Sequence, residues 1–231
     1  VDYNDGQPSI VEDDKLQFKG ERYYFKDSIR LKAQEVFVSP LDLNIEKGKI
    51  EHPLKPMIRF GIPVFNNNGQ KRGVVLLNYL GNQMLESIKK AAKISAGNIM
   101  LVNSNGHWLY SPDPKDEWGF LIKDRIDKTF LARFPKAWKH ISGSQQTQFN
   151  TGNGLFTSAT IYPFLEGLKS SSGSSDAFGD SQTYLPAKEY YWKIISHVPV
   201  NVLKSSANDL IRKLSFLVTF LVIFIAVLSW F

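Results

Sequence analysis

Cysteine is absent from this chain, so it has neither a disulfide framework nor a cysteine-ligated metal site. Histidine is scarce, and no two histidines have the spacing of metal ligands. The four histidines are His52, His107, His140 and His197. The catalytic patterns GxSxG and HExxH and a phosphate-binding glycine loop are missing as well. We therefore expect no catalytic residue, no metal and no cofactor in this region, and a binding module rather than an enzyme.

Acidic residues are fewer than basic ones: 22 Asp and Glu stand against 28 Lys and Arg, which gives a net charge of +6. The basic residues are spread from Lys15 to Lys213 rather than collected in one run. This spread indicates a solvated surface, with attraction to anionic ligands or lipid head groups as the alternative. No nucleic-acid-binding motif accompanies the charge, so nucleic acid is not an expected partner. The acidic loop residues Asp113, Asp116 and Glu117 are interpreted as solvated, the alternative being a cation site.

Glycine and proline are absent from Val200 to Phe231. The last 18 residues of this stretch, Leu214 to Phe231, carry no charge and would span about 27 Å as a helix, close to the hydrocarbon thickness of a bilayer. They predict a transmembrane helix, with a buried core helix as the alternative. Because no breaker precedes them, we expect one continuous helix of about 30 residues that starts after Pro199. We also expect the chain to be part of a longer membrane protein.

Turn residues separate two β-rich apolar runs in the first half of the chain. Met57 to Phe65 and Val74 to Tyr79 flank the stretch NNNGQKRG, which predicts an antiparallel hairpin. Glu35 to Asn44 supplies a third strand, because apolar and polar residues alternate along it. Helices are predicted on either side, over Glu21 to Leu31 and over Gln83 to Ala96. The first half therefore predicts a three-stranded antiparallel sheet between two helices.

A similar order of elements follows in the second half. NIMLVNSNGHWLYSP predicts another hairpin, short helical pieces follow from Ile122 to Ile141, and further strands are predicted up to Val198. The Ser/Gly-rich residues from Gly167 to Ser181 predict a mobile surface loop. The two halves share no appreciable sequence identity, so the repeat is one of architecture. The predicted fold class is α+β, with two tandem units built on antiparallel sheets.

Three stretches of the first half resemble the membrane-distal unit of double Cache domains, which are also called tandem PAS-like or PDC sensor domains. They are RYYFKDSI, EVFVSPLDLNIEKGKIEHPLKPMIRFGIPVF and GQKRGVVLLNYLG. The resemblance is dense from Leu16 to Leu85 and falls to the general pattern NSNGHWLYSPDP…EWGF in the second half. This family forms the extracytoplasmic part of bacterial sensor histidine kinases, diguanylate cyclases and chemoreceptors. The resemblance implies that a small molecule binds the membrane-distal unit.

The resemblance also implies a domain organisation and a location. We expect two PAS-like units outside the bacterial inner membrane, with residues 1–213 periplasmic or extracellular and the parent protein a homodimer. The predicted domains are a membrane-distal ligand-binding unit over residues 1–82, a connecting helix over 83–96, a membrane-proximal unit over 97–199, and a stalk and transmembrane helix over 200–231.

Five residues at the start of the first helix combine a cation, an anion and three aromatic rings: Arg22, Tyr23, Tyr24, Phe25 and Asp27. Arginine suits bidentate recognition of a carboxylate, and aromatic rings can wall a pocket. Alternatively, two of the rings belong to the core and the charges lie at the surface. The first four are similar to the Arg-x-aromatic-aromatic element of amino-acid-binding double Cache domains. A tyrosine expected a few residues earlier and a strand aspartate expected after Arg59 have no equivalent here, so the ligand class stays open.

Three polar residues in the strands are further candidates for the ligand site. Alternation along the third strand places Ser39 or Asp42 at a pocket; alternatively, the two lie in a turn and cap backbone groups. Arg59 lies among apolar residues of the hairpin and needs a partner if it is buried, either a ligand carboxylate or Asp42. Together with the five helix residues, these three complete the predicted ligand-binding set.

The resulting hypothesis is a sensor region without catalysis of its own. It detects a small molecule and passes the ligand state through the C-terminal helix to a cytoplasmic output domain, either a histidine kinase or a diguanylate cyclase. A chemoreceptor ligand-binding domain and a membrane-anchored extracytoplasmic enzyme are the alternatives. The latter would need a catalytic triad or metal cluster, and the sequence offers none.

Overall fold

The computed structural model describes the backbone of residues 2–4 and 7–230, and the side chains of 7–205, 208 and 210–220. Its helices are α1 (Tyr23–Arg30), α2 (Asn82–Ile94), α3 (Phe130–Arg133), α4 (Pro135–Ile141) and α5 (Val200–Trp230). Its strands are β1 (Asp2–Asn4), β2 (Gln7–Ser9), β3 (Phe37–Val38), β4 (Asp42–Leu43), β5 (Ile45–Glu46), β6 (Lys49–Ile50), β7 (Pro56–Phe65), β8 (Lys71–Leu80), β9 (Asn98–Asn103), β10 (Trp108–Tyr110), β11 (Gln146–Thr151), β12 (Gly154–Ile161), β13 (Lys169–Ser171), β14 (Tyr184–Pro186) and β15 (Trp192–Pro199).

The chain divides into two compact units. The first unit contains Val1–Met84, Phe120–Lys123 and Tyr162–Tyr190, and the second contains Leu85–Gly119, Asp124–Ile161 and Tyr191–Phe231. This division differs from the predicted one, because residues 162–190 lie in the first unit rather than the second. The fold is α+β with antiparallel sheets, as predicted.

The long hairpin β7–β8 is the centre of the first unit. β8 pairs with one side of β7, and the short strands β3 and β4 pair with its other side, all antiparallel. The hairpin is confirmed, and the predicted third strand is present as two pieces. β13 continues the sheet by pairing in parallel with β3, and β14 pairs with β13. The expected loop over residues 167–181 is therefore wrong in part: Ser170 and Ser171 are buried strand residues, because they extend this sheet.

Helix α1 packs against the centre of this sheet at Gly61. A Cβ atom at Gly61 would lie 2.0 Å from Oγ of Ser28 in the helix, so any larger residue would push the two elements apart. The Ser28 hydroxyl is held by its own helix, since it donates to the carbonyl of Tyr24 at 2.6 Å. The close approach brings the side chains of the first helical turn down onto the sheet, where Tyr23 and Tyr24 pack with Phe37.

The second unit is a five-stranded antiparallel sheet in the order β10-β9-β15-β12-β11. The short helices α3 and α4 cover one face of this sheet. Its core is rich in aromatic side chains, and Phe130 contacts the rings of Trp108, Phe134 and Trp138 at centroid distances of 5.2 to 5.8 Å.

Helix α5 begins at Val200, directly after β15, and continues without a break to Trp230. The predicted start after Pro199 and the predicted continuity are confirmed. Most of the predicted membrane span, Leu214 to Phe231, lies outside the residues whose side chains are described. Within the described residues, no helix is long and apolar enough to cross a membrane.

Candidate functional site

The segment from β3 to β4, which runs beside β7, contains one extra residue. This extra residue determines the face of the sheet on which Asp42 lies. The N–H of Ser39 donates to the carbonyl of Arg59 at 2.8 Å, and further along the strand Asp42 lies opposite Met57. The step from Ser39 to Asp42 is three residues, whereas the paired step on β7, from Arg59 to Met57, is two residues. Such an extra residue in one of two paired strands is a β-bulge. Directly opposed residues share a face of the sheet, and so do residues two apart on one strand. The bulge thus places Asp42 on the face that carries Met57 and Arg59.

Arg59 and Asp42 form a buried ion pair on this face. Arg59 is 1% exposed, and its Nη1 lies 2.5 Å from Oδ1 of Asp42. The second carboxylate oxygen accepts a hydrogen bond from the buried hydroxyl of Tyr23. Burial would lower the pKa of the Arg59 guanidinium, but the Asp42 carboxylate outweighs this effect and raises that pKa. Burial, and then the same carboxylate, raise the pKa of Tyr23 well above its ordinary value, so its hydroxyl remains a proton donor.

Further polar side chains connect this ion pair with the surface. Nη2 of Arg59 donates to Oδ1 of Asn44 at 3.1 Å, and Nδ2 of Asn44 donates to Glu46 at 3.1 Å. Glu46 accepts hydrogen bonds from Lys19 at 3.1 Å and from Gln17 at 2.6 Å. Burial would raise the pKa of Glu46, but the hydrogen bonds from Lys19 and Gln17 lower it on balance. Each charge in this chain of contacts is thus compensated.

Arg22 is different, because it is buried without a counterion. It precedes the first residue of α1, is 4% exposed, and lies with its guanidinium 5.4 Å from the centroid of the Tyr24 ring. The guanidinium of Arg59 lies 4.6 Å from the same ring. Nε of Arg22 has no hydrogen-bond partner, and no ion pair to Arg22 occurs among the described side chains. Since Asp42 already neutralises Arg59, the site carries one uncompensated positive charge.

Two of the predicted site residues have structural roles. The hydroxyl of Ser39 accepts the N–H of Arg59 at 2.8 Å and donates to the carbonyl of Pro40 at 2.9 Å. This is the backbone-capping role that the sequence offered as the alternative. Phe25 is partly buried and packs against the rings of Tyr23 and Tyr24.

Asp27 contacts a different part of the first unit. Its carboxylate is 2% exposed and accepts hydrogen bonds from Ser181 at 2.7 Å and from the hydroxyl of Tyr184 at 2.8 Å. Burial raises the pKa of this carboxyl, although its hydrogen bonds oppose the effect. Next to it, Lys26 forms an ion pair with Asp180 at 2.8 Å. The start of α1 therefore holds the segment around residues 180–184 as well as the buried arginines.

We use the name Arg22–Arg59 cluster for the five predicted residues whose rings and charged groups lie together: Arg22, Tyr23, Tyr24, Asp42 and Arg59. Ser39 and Phe25 contact members of this cluster, whereas Asp27 has other partners. The prediction omitted Gln17, Lys19, Asn44 and Glu46. Asn44 could have been found from its sequence position, because it follows Asp42 by two residues on an extended segment.

Comparison with known proteins identifies the fold and the family. The model of the family described as bacterial histidine kinase, sensor domain, matches residues 1–166. No curated protein matches the chain.

Two solved structures share the architecture. One is the extracellular domain of a protein described as a histidine kinase, vpHK1S-Z8, with 22% identity and a TM-score of 0.60 over 84% of this chain. The other is a domain of a sensory box/GGDEF family protein from Vibrio parahaemolyticus, with 21% identity and a TM-score of 0.60 over 82% of this chain. In both comparisons this chain spans 62% of the length of the solved domain.

Proposed function

This chain belongs to the family of bacterial histidine kinase sensor domains, and we propose that it detects a small organic anion at the Arg22–Arg59 cluster. The observation that carries the proposal is Arg22, which is 4% exposed, has no ion-pair partner among the described side chains, and has an Nε without a hydrogen-bond partner. A buried charge without a counterion is costly, and a sensor can use that cost to favour its ligand-bound state. Arginine recognises carboxylates by paired hydrogen bonds, so a carboxylate is the expected anionic group.

The surroundings of Arg22 support recognition rather than a purely structural charge. Both carboxylate oxygens of Asp42 are already occupied, one by the guanidinium of Arg59 and the other by the hydroxyl of Tyr23, so Asp42 is not available to Arg22. The guanidinium groups of Arg22 and Arg59 both lie near the ring of Tyr24, and these cation–π contacts orient the two guanidinium groups. A carboxylate bound by Arg22 would restore charge balance at the cluster.

Thermal denaturation of the full chain in detergent tests the proposal. The panel of probes consists of acetate, lactate, succinate and L-alanine, which differ in size and in net charge. We expect at least one of these carboxylates to raise the melting temperature in a concentration-dependent way, since a ligand that binds only the folded state stabilises it. Arg22→Ala should weaken binding of that ligand by about tenfold or more, the usual effect of losing a charged hydrogen bond. Tyr24→Ala should also weaken binding, because the ring that lies against both guanidinium groups is lost.

Arg72→Ala is the matched control, since Arg72 is an exposed arginine of the same unit. It should leave the ligand-induced shift unchanged. Arg22→Lys separates charge from geometry, because lysine keeps the charge but loses the planar fork of donors. Unchanged affinity in both Arg22→Ala and Tyr24→Ala would remove the cluster from the ligand site.

We also propose an extracytoplasmic position for residues 1–213 and a membrane position for the apolar end of α5. The support is the uncharged sequence from Leu214 to Phe231 and the likeness to an extracellular domain. Protease added to intact cells should digest residues 1–213, whereas complete protection would contradict this orientation.

The remaining proposal concerns signal transmission by a homodimer. Helix α5 follows β15 without a linker, so a movement of the sheet would be passed directly to the helix. Insertion of Gly-Gly-Gly between Asn201 and Leu210 would interrupt the helix. We expect the insertion to abolish ligand-dependent output of the full-length protein while ligand binding survives. Retained output would mean that the helix is only a tether.

The output domain of the parent protein is proposed to be a histidine kinase, with a diguanylate cyclase or chemoreceptor module as the alternatives. The family assignment over residues 1–166 supports the kinase. Sequencing the reading frame beyond Phe231 tests the choice directly.

A further inference from the structure

The second unit has a cleft of its own, with a volume of about 420 Å³. Three parts of the chain line it: the end of α2, the turn into β9, and the segment that follows β10. Its walls include the apolar side chains of Ala92, Ile99 and Pro112. Small-molecule sites in proteins are concave, mostly apolar and of roughly 300–1,000 Å³, with a few polar groups that orient the ligand. The cleft has the dimensions and the lining of such a site.

Charges of both signs lie at this cleft. Lys89 and Lys93 are four residues apart on α2, so they share a face of that helix. Glu117 lines the cleft from the other segment, and one of its oxygens accepts the N–H of Ser111 at 3.0 Å. Within the described part of the chain, neither Lys93 nor Glu117 has an ion-pair partner, whereas Lys89 pairs with Glu86 at 2.6 Å. Neither Glu117 nor Lys93 is thus held in an ion pair, although Lys89 and Arg125 lie near enough to Glu117 to oppose the rise in the pKa of its carboxyl.

Glu117 differs from the two other acidic residues of its loop. Asp116 is buried and paired with Arg133 at 2.7 Å, whereas Asp113 is exposed and accepts the N–H of Lys115 at 3.0 Å. Glu117 is half-buried, and its burial raises the pKa of its carboxyl. The sequence predicted that all three acidic side chains of this loop are solvated. For Asp116 this prediction is wrong, because its side chain is buried.

The backbone holds Glu117 in position at some energetic cost. The next residue, Trp118, is 2% exposed and has φ of +63°, a conformation that is rare for a bulky side chain. Such a conformation is unfavourable and persists only where the surroundings enforce it. The N–H of Trp118 donates to the carbonyl of Trp108 at 2.9 Å, and Arg125 donates to the carbonyl of Glu117 at 2.9 Å. These contacts fix the backbone at Glu117, and the Ser111 N–H holds its carboxylate at the cleft.

We propose that this cleft, the Lys93–Glu117 cleft, binds a small zwitterion. The cationic group of the ligand pairs with Glu117, its anionic group pairs with Lys93 and Lys89, and its carbon chain lies along the apolar walls. This site is independent of the Arg22–Arg59 cluster, so the sensor has a binding site in each unit.

The probe is 5-aminopentanoate, compared with pentanoate and pentylamine, which have the same carbon chain and one charge each. NMR titration of the full chain in detergent follows the amides of the residues that line the cleft. We expect 5-aminopentanoate to shift these amides and to bind about tenfold or more tightly than either single-charge analogue, the usual effect of one charged hydrogen bond. Arg22→Ala should leave these shifts unchanged, which separates this site from the cluster in the first unit.

Two neutral substitutions identify the groups that bind the probe. Glu117→Gln keeps the acceptor for the Ser111 N–H, and Lys93→Met keeps the length of the side chain; each should weaken 5-aminopentanoate by about tenfold or more. Lys90→Met is the matched control on the same helix and should not alter binding. The proposal is overturned if no probe shifts the cleft amides, if pentanoate or pentylamine binds as tightly as 5-aminopentanoate, or if both substitutions leave the affinity unchanged.

Discussion

Removal of Asp42 should destabilise the first unit by far more than the loss of an ordinary surface ion pair. In Asp42→Leu the guanidinium of Arg59 stays buried at 1% exposure with no counterion, and breaking a buried pair in this way costs about 3–5 kcal/mol. The hydroxyl of Tyr23 also loses its acceptor, which adds part of a further penalty of about 1–3 kcal/mol. Because domains are stable by only about 5–15 kcal/mol, the variant should lose roughly a fifth of its stability or more.

A double-mutant cycle in urea measures this effect on the full chain. Asp42→Leu and Arg59→Met should each be strongly destabilising, whereas the double variant should recover most of the loss, since apolar replacement of a buried pair is often neutral. Hydrogen exchange of β7 amides localises the change to the first unit. Glu86→Gln, which breaks an exposed pair with Lys89, is the control and should leave the free energy of unfolding almost unchanged. A cost below about 1 kcal/mol for Asp42→Leu, without recovery in the double variant, would refute this account of the cluster.

Two further predictions concern α1. Gly61→Ala places a Cβ 2.0 Å from Oγ of Ser28 and should cost about 1–3 kcal/mol in a urea titration, whereas Gly73→Ala, with no atom within 4 Å, should cost little; equal costs would contradict the packing of α1 on Gly61. The raised pKa of Asp27 implies stabilisation that is fully present below its ordinary pKa and lost as the pH rises through the folded-state value. Asp27→Asn should therefore flatten the decline in unfolding free energy from about pH 4 upward, and an unchanged slope would argue against it.

Local patterns predicted the hairpin, the helices and most of the candidate site. The β7–β8 hairpin and α5 depend on neighbours in sequence, so their apolar runs and turn residues were sufficient. The bulge between Ser39 and Asp42 was not predicted. A single extra residue leaves the composition of a strand unchanged and yet reverses the face of every residue beyond it. The partnership of Asp42 with Arg59 could thus be offered only as one of two alternatives.

Local sequence patterns also could not predict that residues 162–190 belong to the first unit. β13 pairs with β3 in parallel, and the Ser170 hydroxyl donates to the carbonyl of Val38 at 2.8 Å across 132 residues of chain. Nothing in a Ser/Gly-rich stretch specifies so distant a partner, and the composition alone is typical of a loop. Ser181 and Tyr184 reach Asp27 by the same route, so the hydrogen bonds that they donate to its carboxylate were not predicted.

The two buried arginines of the cluster should respond in opposite ways to an apolar replacement. Arg59 has its counterion, so Arg59→Met leaves Asp42 unpaired and destabilises the unit. Arg22 has no counterion, so Arg22→Met removes a desolvated charge while retaining most of the side-chain volume. Without ligand, Arg22→Met should therefore raise the unfolding free energy, by about 1–3 kcal/mol on the scale for buried polar groups. With a carboxylate that stabilises the native chain, the advantage should shrink or reverse, since only the native protein gains free energy from the ligand. The measurement is urea unfolding of both proteins with and without that carboxylate. If Arg22→Met is less stable than the native chain in the absence of ligand, the guanidinium has a protein partner, and the case for an anion at Arg22 fails.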